Sequence, residues 1–255
     1  MDSKTCTITL TFGECSENHR GMQQIGKIGD KGFSIDELKK IKEKFEEKEI
    51  KCELIELNES LNGIEAEPAA ILIIRKGCDF ILEDQKADDL FKEQSVLDVD
   101  KKAFMYGRVV NKKARYNLCF DHSSQEPDYA QKKGRIIAFK DVPLLDKLRI
   151  RLPELLGDKA GNLTAEGNYY HDLKKCGISF HGDTERKIVI AIRLGCSLPL
   201  HYQWYYQCKP VGDRAKLMLN HGDIYIMSEK AVGSDWRKRS ILTLRHAAGA
   251  AKFLK

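Results

Sequence analysis

His181 and Asp183 stand two residues apart in the run His181-Gly182-Asp183. On an extended backbone alternate side chains point to one side, so an imidazole and a carboxylate at this spacing reach one cation at about 2.0–2.2 Å. Two histidines and one carboxylate with open positions make the facial triad of non-haem iron(II) sites, and this run supplies two of the three ligands. The dipeptide is common by itself; its surroundings give it weight. Upstream, Asn168-Tyr169-Tyr170 offers an amide and a phenol. Downstream, Arg239-Ser240-Ile241-Leu242-Thr243-Leu244-Arg245 alternates polar and apolar residues as a strand with one polar face does. An arginine there suits a buried carboxylate, because its planar fork binds both oxygens.

Taken in this order, these parts resemble the AlkB family of 2-oxoglutarate and iron(II) dependent dioxygenases, over roughly residues 111–249. The resemblance implies that His181 and Asp183 hold Fe(II). It implies further that Asn168, Tyr170, Arg239, Thr243 and Arg245 hold 2-oxoglutarate, Arg245 and Asn168 at one end and Arg239 and Tyr170 at the other. Residues 217–228 look like the family's "HGD" turn and the apolar strand after it. Glu185 falls where the family often has an acid facing the substrate base. Residues 111–120, with Arg115, look like the segment leading into the family's nucleotide-recognition lid, and residues 125–129 like the lid loop. The implied activity is oxidative demethylation or hydroxylation of a base in DNA or RNA, which has to be flipped from a duplex to be reached.

Two departures bear on this. The family places its second metal histidine about a dozen residues after the HGD aspartate, and here Gly233-Ser234-Asp235-Trp236-Arg237-Lys238 contains no histidine. The third ligand is therefore open between His246, Asp235, and none, the site then being completed by water and cosubstrate. His246 directly follows Arg245, and strand alternation turns it away from the face carrying that arginine. Ile241 stands where the family has an asparagine. Two other functions stay beside the first: an oxygenase of the same chemistry acting on protein or a small molecule, and an inactive jelly roll used for binding. Clustering of Lys112, Lys113, Arg115, Lys132 and Lys133 at the pocket mouth separates nucleic acid from the other substrates.

The chain has 255 residues, enough to bury a sizeable core in one large or two small domains. A net charge of +5, spread diffusely, permits a polyanionic partner without demanding one. Eight cysteines without a C-x-x-C pair or a secretory leader indicate reduced thiols in an intracellular, cytoplasmic or nuclear, protein. Cys15 and His19 have zinc-like spacing, but no second pair follows. No apolar run approaches the roughly eighteen residues that span a bilayer.

The first hundred residues read as a separate small α/β module. Residues 6–12 alternate apolar residues with threonine, as a strand does. Ser34 with Glu37 forms a capping box, and Ile35, Leu38, Ile41 and Phe45 continue it as a helix. Residues 52–57 and 69–74 give two more strands, the last without alternation and so buried on both faces. The polar loop 17–24 reads as a structured connection, and glycines 26, 29 and 32 fit no nucleotide motif. Residues 83–102 mark the expected boundary. Beyond it, a helix over 144–156 interrupted at Pro153, and short strands at 187–193, 200–206, 224–227 and 241–245 with glycine punctuation, indicate a sandwich or jelly roll. The expected fold is α+β: a double-stranded β-helix catalytic domain at 101–255 behind the small module at 1–100.

Overall fold

Alternation of apolar residues with threonine does produce the first strand, β1 (Thr7–Gly13), but all seven of its residues are buried. Ile8, Leu10 and Phe12 enter one core while Thr7, Thr9 and Thr11 face the other way, so β1 needs neighbours on both edges and cover on both faces. The computed structural model, describing residues 3–255, supplies both.

In chain order there follow a hairpin of β2 (Cys15–Glu17) and β3 (Gln24–Gly26), helix α1 (Ile35–Glu46), β4 (Cys52–Glu56), β5 (Ala70–Ile74), α2 (Gly77–Leu82) and α3 (Ala87–Ser95). A second hairpin, β6 (Lys102–Met105) and β7 (Arg108–Asn111), leads to β8 (Tyr116–Asp121), β9 (Ile136–Ala138) and α4 (Pro143–Leu156). The rest is β10 (Thr164–Tyr170), β11 (Gly177–His181), β12 (Ile190–Gly195), β13 (Leu200–Tyr206), β14 (Lys209–Leu217), β15 (Ile224–Met227), α5 (Glu229–Val232) and β16 (Thr243–Gly249). Eight strands form a large sheet in the order β4-β5-β15-β12-β1-β10-β8-β9, and four form a small one in the order β11-β16-β13-β14.

The fold is α+β, mostly sheet. One core lies between the large sheet and the helices, with Leu10, Phe12, Leu38, Phe45, Leu90 and Leu148 among its members. A second holds the two sheets face to face, Ile71, Ala191 and Tyr225 of the large one against Tyr202, Trp204 and Leu244 of the small one. The Trp204 indole N–H donates to the Leu57 carbonyl at 2.9 Å, which satisfies its polar atom in a fully buried position.

No boundary falls near residue 100. The strands of the first hundred residues interleave with later ones: β1 lies antiparallel between β10 and β12, with Thr9 opposite both Asn168 and Arg193, and β5 pairs with β15. The expected separate module at 1–100 is corrected accordingly. Local pattern identified these strands, and only long-range pairing decides which sheet they join. Helix α1 begins as the sequence indicates, Ser34 Oγ accepting from the Glu37 N–H at 3.2 Å and Glu37 accepting from the Ser34 N–H at 2.7 Å. Helix α4 runs through Pro153 to Leu156 instead of breaking there. Among the described residues no helix is long and apolar enough to cross a membrane.

Candidate metal centre

Strand β11 ends at His181, and antiparallel β16 brings His246 directly opposite it. Between His181 and Asp183 the chain must pass so close to Gly233 that a Cβ on Gly182 would lie 2.0 Å from the Gly233 carbonyl oxygen, which only glycine avoids. The Asp183 N–H then donates to the Val232 carbonyl at 3.1 Å, fixing the turn against the end of α5. His181, Asp183 and His246 offer one ligand atom each, and these atoms all lie within 4.8 Å of one another. The group can hold a metal ion.

Protonation and charge fit a cation. The Nδ1 of His181 sits 2.8 Å from the Ser179 carbonyl oxygen and 3.0 Å from that of His246, so it carries the hydrogen. Its Nε2 lone pair is left facing Asp183 Oδ1 at 3.4 Å, and the Nε2 of His246 lies 3.7 Å from the same oxygen. Burial, and then the adjacent His181, push His246 down to about 3, so it is a neutral imidazole at physiological pH, the form that ligates a metal. Burial disfavours the Asp183 carboxylate, but the Arg186 guanidinium and the two imidazoles outweigh it and hold that carboxyl well below the usual range. Arg186, itself 2% exposed, contacts Glu166 at 2.5 Å, Glu185 at 2.8 Å and Asp183 at 3.6 Å. Arg186 is thus shared among three carboxyl groups, of which that of Glu185 is pushed up by burial and by Asp183 beside it.

Behind the triad lies an inner cavity of about 60 Å³, reached by Thr9 of β1, Asn168 and Tyr170 of β10, Arg193 of β12 and Tyr225 of β15. Arg193 is 1% exposed, donates to Thr9 Oγ1, keeps its Nε without a partner, and meets no carboxylate among the described residues. In front of the triad opens a cleft of about 290 Å³ that shares His181, Asp183 and Glu166 with the inner cavity.

Of the residues singled out in the sequence, His181, Asp183, Asn168 and Tyr170 meet at this cavity. Asn168 Oδ1 accepts from Arg115 Nε at 2.5 Å and from Asn117 at 2.8 Å. Arg115 and Glu185 line the outer cleft. Arg239, Thr243 and Arg245 do not line either space. Arg239 is exposed, Thr243 Oγ1 lies 3.5 Å from the Tyr205 carbonyl oxygen, and Arg245 stacks on Tyr205 at 4.0 Å while donating to the Trp236 carbonyl at 3.3 Å. The reason is the phase of β16: alternation does set Arg245 and His246 on opposite faces, and it is the histidine that points inward. Asp235 pairs with Lys230 at 2.7 Å and is not a ligand of this group. The HGD segment is a structural turn, Asp223 binding Arg75 at 2.6 Å and the Asn220 N–H at 2.8 Å. Lys112 is buried on Asn18 and Asn117, and Lys113, Lys132 and Lys133 are exposed away from the cleft, so Arg115 alone of those five basic residues lines its wall.

Sequence reasoning passed over Arg193, Thr9, Glu17, Arg186 and Trp236, all of which line one of the two spaces. For Arg193 a signal existed: it is a lone cation in the apolar run Ile190–Leu194. For Thr9 none did, because strand pairing over more than a hundred residues brings it there, while Glu17 begins the polar loop that the sequence presents as a structured connection.

No family model matches the chain. At 55% identity over 252 residues, spanning 98% of this chain and 98% of its relative, it is similar to an uncharacterized protein of Acanthamoeba polyphaga mimivirus, and it belongs to the family of that viral protein.

Proposed function

We propose that the chain is an Fe(II) and 2-oxoglutarate dependent dioxygenase that oxidises a nucleic-acid base, with His181, Asp183 and His246 as its metal ligands. The observation that carries this is the convergence of two imidazoles and one carboxylate from β11, its following turn and β16. That donor set, with positions left open, is the facial triad of non-haem iron(II) oxygenases. The matching fold reading is a double-stranded β-helix in which β1, arriving from the N-terminus, fills the place between β10 and β12 opposite the triad.

When bound, iron(II) with 2-oxoglutarate and dioxygen supplies the oxidation: the cosubstrate loses carbon dioxide to become succinate, and one oxygen atom enters a substrate C–H bond. The chain's own residues bind and orient. Arg193 takes a cosubstrate carboxylate, because a buried guanidinium lacking a carboxylate partner is complementary to that group. Asn168 and Tyr170 form the wall beside it, as the AlkB-like reading expects of them. Arg20, Arg115 and Arg237 line the outer cleft and make no ion pair with a carboxylate among the described residues, which suits a phosphate. The single basic residue contributed from 111–133 favours the second reading, the same chemistry on a protein or small molecule.

The test is metal titration with Co(II) or Fe(II) and conversion of 2-oxoglutarate to succinate. His181→Ala, Asp183→Ala and His246→Ala are each expected to abolish both. Succinate formation that survives His246→Ala would overturn the assignment.

A further inference from the structure

The hairpin of β2 and β3 is tied to the wall of the metal site and presents one side chain to its mouth. The backbone N–H of Glu17 donates to Glu166 Oε2 at 3.3 Å, and Glu166 in turn holds Arg186 and Asn168. Glu17 Oε1 accepts from the Gly21 N–H at 2.6 Å, which fixes the carboxyl on its own turn. Its second oxygen meets no donor among the described residues, and Glu17 lines the cleft that His181 and Asp183 floor. Arg186, 2% exposed, borders the same cleft. A carboxyl oxygen left without a donor on the cleft wall is complementary to an N–H on the planar edge of a heterocycle.

Resting on the base-oxidising reading above, we infer that Glu17 is a specificity-determining residue, accepting an N–H from the edge of the substrate base. The N-terminal hairpin is then part of the substrate site and not a connection. Trp236, with Arg237 over its ring at 5.3 Å and Arg245 at 5.1 Å, borders the same cleft, and Arg20 and Arg115 offer charge to the phosphate attached to the base.

The charged surroundings of Glu17 give the contact a pH signature. Burial raises its carboxyl to about 7, Gly21 acting in the opposite sense and Glu185 and Glu166 adding to the rise. Around it stand Glu166 from β10, Glu185 and Arg186 from the segment after β11, Arg115 before β8, His19 and Arg20 of its own hairpin, and Arg237 from the loop before β16. Only the ionised carboxyl is a pure acceptor, so the contact strengthens as pH rises from 6 to 8.

The experiment uses the full chain loaded with Co(II), with uridine 5′-monophosphate as probe, ribose 5-phosphate as the base-free control, and quenching of Trp236 fluorescence as readout. Uridine monophosphate is expected to bind more tightly at pH 8 than at pH 6. Glu17→Ala should weaken it about tenfold, the worth of one hydrogen bond to a charged group. The same variant should leave ribose 5-phosphate and Co(II) affinity unchanged, and Glu17→Gln should flatten the pH dependence. Equal affinity of wild type and Glu17→Ala for uridine monophosphate, with Co(II) bound, overturns the inference and leaves the metal assignment intact. Failure of the wild type to bind Co(II), with uridine monophosphate binding still dependent on Glu17, overturns the metal assignment and supports the edge contact. Tighter, Glu17-dependent binding of an acidic asparagine peptide than of the nucleotide overturns the inference in favour of a protein carboxamide.

Discussion

With Nδ1 of His181 engaged by two carbonyl oxygens, the ligand nitrogen of that ring is chosen before any metal arrives. Arg186 does the same for Asp183 by holding Oδ2 at 3.6 Å, which leaves Oδ1 toward the two imidazoles. Arg193 is the residue on which the cosubstrate reading turns, and Arg193→Met separates its role from packing. The expected result is unchanged Co(II) affinity together with an at least tenfold rise in KM for 2-oxoglutarate, since a bidentate charged contact is lost. An unchanged KM would move the cosubstrate site elsewhere. Glu17 yields a stability prediction of definite sign. Its carboxyl is raised to about 7 in the fold from an ordinary 4.5, so the stability it contributes below pH 4.5 is lost as pH climbs through 7. Glu17→Gln removes that loss, and the variant should melt about 2–4 °C above wild type at pH 8 and show no such gain at pH 4. This takes about 1 kcal/mol after discounting for its solvent-facing part.

At the scale of elements, the turn between β11 and the loop before β16 is where backbone contact decides function. Gly182→Ala would place a methyl carbon 2.0 Å from the Gly233 carbonyl oxygen, and Gly233 is itself held at φ +73° with Leu244 behind it. Neither backbone can retreat, so the strands that carry His181 and His246 must separate. We expect Co(II) affinity to fall at least a hundredfold with far-UV circular dichroism unchanged. A variant with normal metal affinity would mean that this contact does not set the ligand spacing. Elements were legible where a local rule governs them: the capping box of α1, and β13 and β15 at the bounds their apolar runs indicate. The phase of β16 was not. Its residues alternate cleanly, but both of its faces meet protein, Arg245 finding Tyr205 and Trp236 on one side and His246 finding His181 on the other. Hydrophobic alternation has nothing to say about which of two covered faces carries the candidate ligand. The arginine that enters the cavity comes instead from β12, where a single cation breaks an apolar strand.

Over the whole molecule, the order of strands in the large sheet is what joins the two halves of the chain. β1 hydrogen-bonds along its full length to β10, in seven paired positions, and to β12 in six. Its inner face contributes Thr9 and Thr11 to the metal cavity, and its outer face contributes Ile8, Leu10 and Phe12 to the helix-covered core. No local signal reports this, because the partner strands lie about 150 to 190 residues away and the cost of closing so long a loop rises only slowly with its length. A chain divided at residue 100 would leave β10 and β12 with unpaired inner edges and strip the large sheet of β4 and β5. Exposed edges of that length in apolar strands associate with other chains. Residues 101–255 expressed alone should therefore be aggregated or expanded, with no binding of Co(II), and adding residues 1–100 as a separate chain should restore soluble, metal-binding protein only if the two refold together. The full chain should unfold in a single transition when followed by both Trp fluorescence and far-UV circular dichroism. A soluble 101–255 fragment that binds Co(II) with the affinity of the whole chain would return the N-terminal hundred residues to the status of an appended module, and with it dissolve the case for Thr9 and Glu17 as parts of the site.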